Sequence, residues 1–235
     1  MSLKAALKRH LQSTGWYVRK TAGLQSGIDL FNDLRKLGIS PKCILDIGAH
    51  HGQTAAAYSG AFPSARVFAF EPVSANFRRL AETASKNPKI RPVHAAVGDQ
   101  PGKASIRLCP DNSQAHSFIW APGDQTECVE LITIDNFCLA QKQHPNFMKI
   151  DVEGFELKVL AGAKRTLADE SLAAVVVEAT LDPDNRSHTQ LPDLDAALKP
   201  HGFRLVAIYD QCLWQETATL AFFNVLFLRQ RTTAT

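Results

Sequence analysis

The stretch that most constrains this chain runs from Lys42 to Glu71. Cys43 to Ile47 is a short apolar run with only Asp46 charged, which suits a parallel strand buried on both faces. Gly48 to Gly52 then turn it into a helix. A second apolar run, Val67 to Phe70, ends on Glu71 about 25 residues after Asp46, where nucleotide-binding α/β folds put a carboxylate against ribose hydroxyls. The two runs predict a βαβ unit with an adenosine-shaped crevice at its mouth. Taken singly, Asp46 as a turn cap and a solvated Glu71 would suit an ordinary structural unit. The pair points to a nucleoside.

What is missing narrows the nucleoside. A dinucleotide fingerprint needs three glycines for the backbone to approach a pyrophosphate, and only Gly48 and Gly52 are present. No phosphate-cradling loop ending in Gly-Lys-Ser/Thr occurs. An acid in the first strand without a phosphate grip favours a nucleoside with a cationic, phosphate-free tail, and S-adenosylmethionine fits. In that reading Asp46 and the turn through Gly48, Ala49, His50, Gly52 and Gln53 face the methionine end. Glu71, followed by Pro72, accepts both ribose hydroxyls.

A chain of 235 residues suits one α/β domain, expected over 41–230, behind an N-terminal helical extension over 1–40. A net charge of +3 with both signs mixed leaves no polybasic stripe, which argues against a nucleic-acid partner. The five cysteines include no Cys-x-x-Cys and suggest reduced thiols. No apolar run approaches the roughly 18 residues of a membrane span, and the N-terminus lacks a signal-peptide pattern, so a cytoplasmic protein is expected.

Leu3, Leu7 and Leu11 make a narrow apolar stripe on a first helix, and Ile28 to Leu37 predicts a second. The first suits packing on the domain itself, a partner subunit in a homodimer or a membrane surface, and the helices together suit a lid over the crevice or a plain support. Ser74 is expected to cap a helix, and Ile90 to Val97 to form a third strand closing on Gly98-Asp99, beside the adenine. The same Gly-Asp pair also fits a plain turn. Lys103 to Cys109 and Glu127 to Ile134 alternate as an antiparallel addition, joined by a loop that carries His116 and Ser117 over the crevice; Ser117 is a candidate cofactor contact. Asn146 to Ile150, Ala173 to Glu178, Phe203 to Ile208 and Thr219 to Leu228 read as further strands, the last two antiparallel neighbours. Lys149, in the middle of a central strand, needs a carboxylate, with Glu178 or Asp46 as candidates.

These residues resemble the FkbM-type family of S-adenosylmethionine-dependent methyltransferases. The matches are Leu45-Asp-Ile-Gly-Ala-His-His-Gly-Gln-Thr54, Phe68-Ala-Phe-Glu-Pro72, Ala96-Val-Gly-Asp99, Leu131-Ile-Thr-Ile-Asp135 and, most specific, Met148-Lys-Ile-Asp-Val-Glu-Gly-Phe-Glu156. The resemblance implies an α/β fold: a doubly wound, Rossmann-like, seven-stranded, mostly parallel sheet with an antiparallel last strand. It also implies methyl transfer, usually to a hydroxyl oxygen, with cofactor contacts at Asp46, Gly48, Glu71 and Asp99. His50 stands where family members usually carry Asn. A protonated imidazole there would repel a sulfonium, so cofactor affinity should rise with pH.

For removal of the acceptor's proton, the sequence points to Asp151 with Glu153, and to Glu178 as an orienting group. An alternative has Asp151 capping the following helix and Glu153 holding Lys149. No metal site is assigned, although Asp151, Glu153 and Glu178 would also suit a metal-assisted variant. A catalytically silent relative of the fold and a nicotinamide-dependent oxidoreductase remain the competing functions, and the acceptor is left open among sugars, glycans and natural products.

Overall fold

The computed structural model describes residues 26–109 and 124–230. The first predicted helix, His116 and Ser117 lie outside them. Among the described residues no helix is long and apolar enough to cross a membrane.

The chain begins with α1 (Leu30–Lys36), β1 (Cys43–Ile47), α2 (Gln53–Ala61), β2 (Arg66–Phe70), α3 (Ser74–Ser85) and β3 (Ile90–Val93). A small second sheet follows from β4 (Ala96–Val97), β5 (Gly102–Arg107) and β6 (Thr126–Ile132). Then come α4 (Ile134–Gln141), β7 (Phe147–Ile150), α5 (Glu156–Ala161), α6 (Lys164–Ala168), β8 (Ala174–Ala179), α7 (Leu191–Leu198), β9 (Phe203–Leu213) and β10 (Leu220–Arg229). The main sheet has seven strands in the order β3-β2-β1-β7-β8-β10-β9, parallel except for β10, which is antiparallel to both neighbours. This is the doubly wound sheet with a reversed last strand that the resemblance implies.

Strand alternation explains the two-sided core. Leu45, Ile47, Met148, Ile150, Val175 and Val177 pack on one face with Val159, Leu160 and Leu198 from the helices. Ile44, Val67, Phe147 and Val176 point to the other, against Leu34, Tyr58 and Leu80. Both faces are therefore apolar, which is why these strands read as near-continuous hydrophobic runs. Helix α1 is a support on the second face and does not line the cavity described below. Its buried Asp33 accepts hydrogen bonds from Gly27 N at 2.8 Å and Tyr209 Oη at 2.9 Å, which tie it to β9.

Three sequence expectations change. The single strand Ile90 to Val97 is two: β3 is a sheet edge, where Pro92 is tolerated, and β4 leaves it to pair in parallel with β6. Ser74 is not the cap of α3; Val73 holds that position, and the Ser74 hydroxyl donates to Glu127 Oε1. The helix after Asp151 starts only at Glu156 and is interrupted at Gly162. A Cβ on Gly162 would lie 2.0 Å from Gly98 O, so the close approach of these two segments requires glycine.

Candidate active site

A cavity of about 660 Å³ opens along the C-terminal ends of the parallel strands, where open α/β sheets bind ligands. The tips of β2, β1, β7 and β8 lie side by side beneath it. With strands about 4.8 Å apart, the groups at its two ends are separated by roughly 14 Å.

At the β1–β2 end the site is built from backbone. Gly48 has φ +81°, and a Cβ there would sit 1.8 Å from Asp151 O, so the turn after β1 can touch the turn after β7 only through glycine. Glu71, 5% exposed, accepts from His50 N through Oε2 and from Val73 N through Oε1, each at 2.9 Å. The Asn76 side chain bonds to this carboxylate as well, and the acceptor capacity left over faces the cavity for a ligand hydroxyl. Burial pushes the Glu71 carboxyl up to about 7 against the pull of those hydrogen bonds. His50, at φ +50°, lines the cavity with its ring stacked on His51 at 3.6 Å; Ala49, Gln53 and Pro72 line it as well.

Under the middle of the cavity lies Lys149, 6% exposed. Its ammonium donates to Asp151 Oδ2 at 2.9 Å and to Gly48 O at 3.3 Å, and lies 3.7 Å from Asp46 Oδ1. Asp46 and Lys149 are direct partners in the β1–β7 register. Asp46 thus answers the expectation for Lys149, while Asp151 is its tighter partner and Glu153 does not hold it. Burial alone would lower the Lys149 pKa, but Asp151 and Asp46 more than offset this and keep it charged. Burial would likewise raise Asp151, yet the lysine holds it below the usual carboxylate range. Asp46 is fully buried, is pushed up to about 6 by that burial, and forms the floor beneath the site without lining it.

At the β7–β8 end the site is built from side chains. Glu153 has φ +52° and is followed by Gly154 at φ +92°, a left-handed pair that aims the glutamate into the cavity. Glu156 fastens this loop: Oε1 accepts from Val152 N at 3.1 Å and Gly154 N at 3.2 Å, and Oε2 accepts from the Thr189 hydroxyl. Glu178, at the tip of β8, is buried, and its carboxyl is raised by burial and by the nearby Asp151. Burial, then Glu178 and Asp151, push Glu153 up to about 8. His188 Nε2 lies 3.2 Å from Glu178 Oε2 and 3.9 Å from Glu153 Oε2. Its ring stacks on Phe222 at 4.5 Å, and Nδ1 lies 3.1 Å from Asn185 Oδ1. Burial would lower the His188 pKa, but the surrounding glutamates raise it. Trp214 closes this end, its indole N–H donating to Asp182 Oδ2 at 2.9 Å.

Not every expected residue reaches the cavity. Gly52 opens α2 at φ +86° and faces Leu80 and Thr83 instead. Gly98 is covered by Leu131 and Phe155, and the Asp99 carboxylate pairs with Lys158 at 2.8 Å, so the wall there is formed by Ala95, Ala96 and Val97. Conversely, His188, Trp214, Phe222 and the fastening role of Glu156 were missed. The only available signal for His188 was a histidine in the loop after an acid-tipped strand.

The charge around the cavity selects its ligand. The described residues that line it include four carboxylates, one lysine and no arginine, and that lysine is engaged by Asp151 and Asp46. Among the described lining residues no lysine or arginine is left over to grip a phosphate, whereas a cationic nucleoside with free ribose hydroxyls suits the carboxylates.

The profile of the methyltransferase FkbM domain matches residues 46–205. Over 170 residues the chain is 29% identical to the hexuronic acid methyltransferase AglP of Haloferax volcanii, covering 72% of this chain and 68% of that protein. It is 27% identical over 143 residues to the 2-O-methyltransferase NoeI of Sinorhizobium fredii, covering 53% and 58%. In fold it resembles the solved methyltransferase FkbM from Methylobacillus flagellatus KT, with a TM-score of 0.53 and 21% identity over 80% of this chain and 43% of that one. The chain thus spans just over two thirds of AglP and less than two thirds of the other two.

Proposed function

The chain belongs to the FkbM methyltransferase family, a class I group that uses S-adenosylmethionine, and on that premise we propose that it O-methylates a ring hydroxyl of a sugar, with hexuronic acids and glycans containing them as first candidates. Support for the acceptor class comes from two relatives, one named for hexuronic acid and the other for transfer to a 2-oxygen. The single observation that carries the reading is the pairing of a ribose-accepting carboxylate, Glu71, at one end of the cavity with Glu153, Glu178 and His188 at the other.

Bound S-adenosylmethionine supplies an electrophilic methyl carbon, whose C–S electron pair returns to sulfur as the acceptor oxygen bonds to it. The residues of the chain do the rest. Glu71 accepts the ribose hydroxyls and Gly48 lets the turn close on them. The carboxylates of the cavity favour a cationic ligand. Glu153 takes the proton from the acceptor hydroxyl, a role that suits it better than Asp151, which Lys149 already engages. Glu178 and His188 orient that carboxylate, and Trp214 covers the acceptor end against water.

The test offers labelled S-adenosylmethionine with uronic acid glycosides, neutral glycosides, a polyketide alcohol and a serine peptide. Label should enter a sugar as a methyl ether that survives mild alkali, unlike a methyl ester. Glu153→Gln should lower kcat by roughly 10²- to 10⁴-fold with little change in affinity for S-adenosylhomocysteine. Transfer only to the polyketide or peptide, or full turnover by Glu153→Gln, overturns the reading.

A further inference from the structure

Glu153, Glu178 and His188 each offer one ligand atom at the acceptor end of the cavity, and these atoms lie within 4.8 Å of one another. We propose that the three side chains hold a divalent cation of the Mn²⁺ class, with further coordination positions open to the cavity for two neighbouring oxygens of the acceptor sugar. The cation's binding stands by itself; its role toward the sugar rests on the function proposed above.

The orientation of His188 carries the argument. Asn185 Nδ2 donates to Ala221 O at 3.0 Å, and Asn185 Oδ1 accepts from Ser187 N at 3.0 Å, which sets the amide's orientation. The oxygen it turns toward His188 Nδ1, at 3.1 Å, requires that Nδ1 carry the hydrogen. Nε2 therefore faces Glu178 and Glu153, either as the N–H of an imidazolium, which the glutamates favour, or as a lone pair directed at a cation held between them. A histidine with one nitrogen tied to an outer acceptor and the other facing carboxylates is the usual posture of a metal ligand. Stacking on Phe222 fixes the ring plane as well.

Glu178 gives a second sign. It is 7% exposed, and its buried Oε2 makes no well-aligned hydrogen bond among the described residues, with His188 Nε2 as its neighbour at 3.2 Å. An oxygen desolvated to that degree needs a partner, and the nearest lysine, Lys149, bonds to Asp151. That ion pair also engages Asp151, one of the three acids that would suit a metal-assisted variant, and His188 takes its place. The site is preformed, because Glu156 pins the loop of Glu153 and Glu178 ends a central strand.

In the reaction, each glutamate gives one oxygen to the cation, leaving the other Glu153 oxygen as proton acceptor. The bound hydroxyl loses its proton to that oxygen and no electrons change hands.

The experiment strips the full chain with EDTA and titrates Mn²⁺ into it, with and without S-adenosylhomocysteine. Uptake is followed by calorimetry and by loss of the free-ion paramagnetic resonance signal. One Mn²⁺ per chain is expected, with affinity reduced at least about tenfold in Glu178→Gln and in His188→Ala. Both variants should still bind S-adenosylhomocysteine, which shows that they are folded. No uptake below about 1 mM by a chain that binds S-adenosylhomocysteine, or unaltered uptake by either variant, overturns the cation site. Sugar methylation undiminished in excess EDTA overturns the site and leaves the proposed function standing. Mn²⁺ uptake without methyl transfer to any sugar does the reverse.

Discussion

The two ends of the cavity hold their carboxylates by different means. Glu71 is gripped by the backbone N–H groups of His50 and Val73, and the turn beside it closes on a glycine. Glu153, Glu178 and His188 come from three separate segments and are set by other side chains, notably Glu156, Asn185 and Phe222. A backbone grip depends on local conformation and survives most substitutions around it. A side-chain grip can be altered one residue at a time. The β1–β2 end, proposed to hold the cofactor, should therefore tolerate less change in its turn, and the β7–β8 end, proposed to hold the acceptor, should change residue by residue without loss of the fold.

The strongest challenge to that contrast is Gly48→Ala. With a Cβ 1.8 Å from Asp151 O and a φ of +81°, the two turns must separate, and affinity for S-adenosylhomocysteine should fall by roughly 100-fold or more. Calorimetry on this variant and on Glu178→Gln compares the two ends directly, the latter staying within about twofold of the parent. Normal binding by Gly48→Ala would abolish the distinction.

Lys149 lies between the ends and serves both, since it touches Gly48 O and Asp151. Lys149→Met leaves the buried Asp46 and the half-buried Asp151 without their cation, a loss of about 3–5 kcal/mol of stability. The thermal midpoint should drop by roughly 6–20 °C in scanning calorimetry. A drop of only a degree or two would mean that the two ends are not coupled through this ion pair.

The smallest expected effect sharpens the picture of the cofactor end. Glu71 titrates near 7, and its ionised form is the better acceptor for ribose hydroxyls. Affinity for S-adenosylhomocysteine should therefore rise several-fold from pH 6 to pH 8 as the proton leaves. Lys149 and His50 face Glu71, and Lys149 stays charged throughout. Glu71→Gln should flatten the profile and bind about tenfold more weakly at pH 8. His50→Asn should keep the slope if Glu71 is its source, whereas loss of the slope would return it to the imidazole. A flat profile in the parent chain would contradict both.

Much of the frame was legible in the amino-acid sequence. The strand–turn–helix around Gly48, the acid at the tip of β2 and the apolar strands follow from local periodicity and from turn chemistry, both carried by neighbouring residues. The break between β3 and β4 was less legible, because Ile90 to Val97 has one apolar pattern and only the sheet edge divides it. The sequence points Asp99 toward the adenine, yet Lys158, 59 residues further along the chain, takes its carboxylate.

The sequence by itself determined the sheet, the turn and the glutamate at the tip of β2, since those depend on side-chain alternation and on a φ value that glycine adopts freely. Only the tertiary structure decided that Lys149 would hold Asp151 and Asp46, that Glu153 would turn into the cavity, and that His188 would complete the acceptor end. Those contacts depend on strand register and loop closure, which bring distant charges within 4 Å of one another and force each to find its partner out of water.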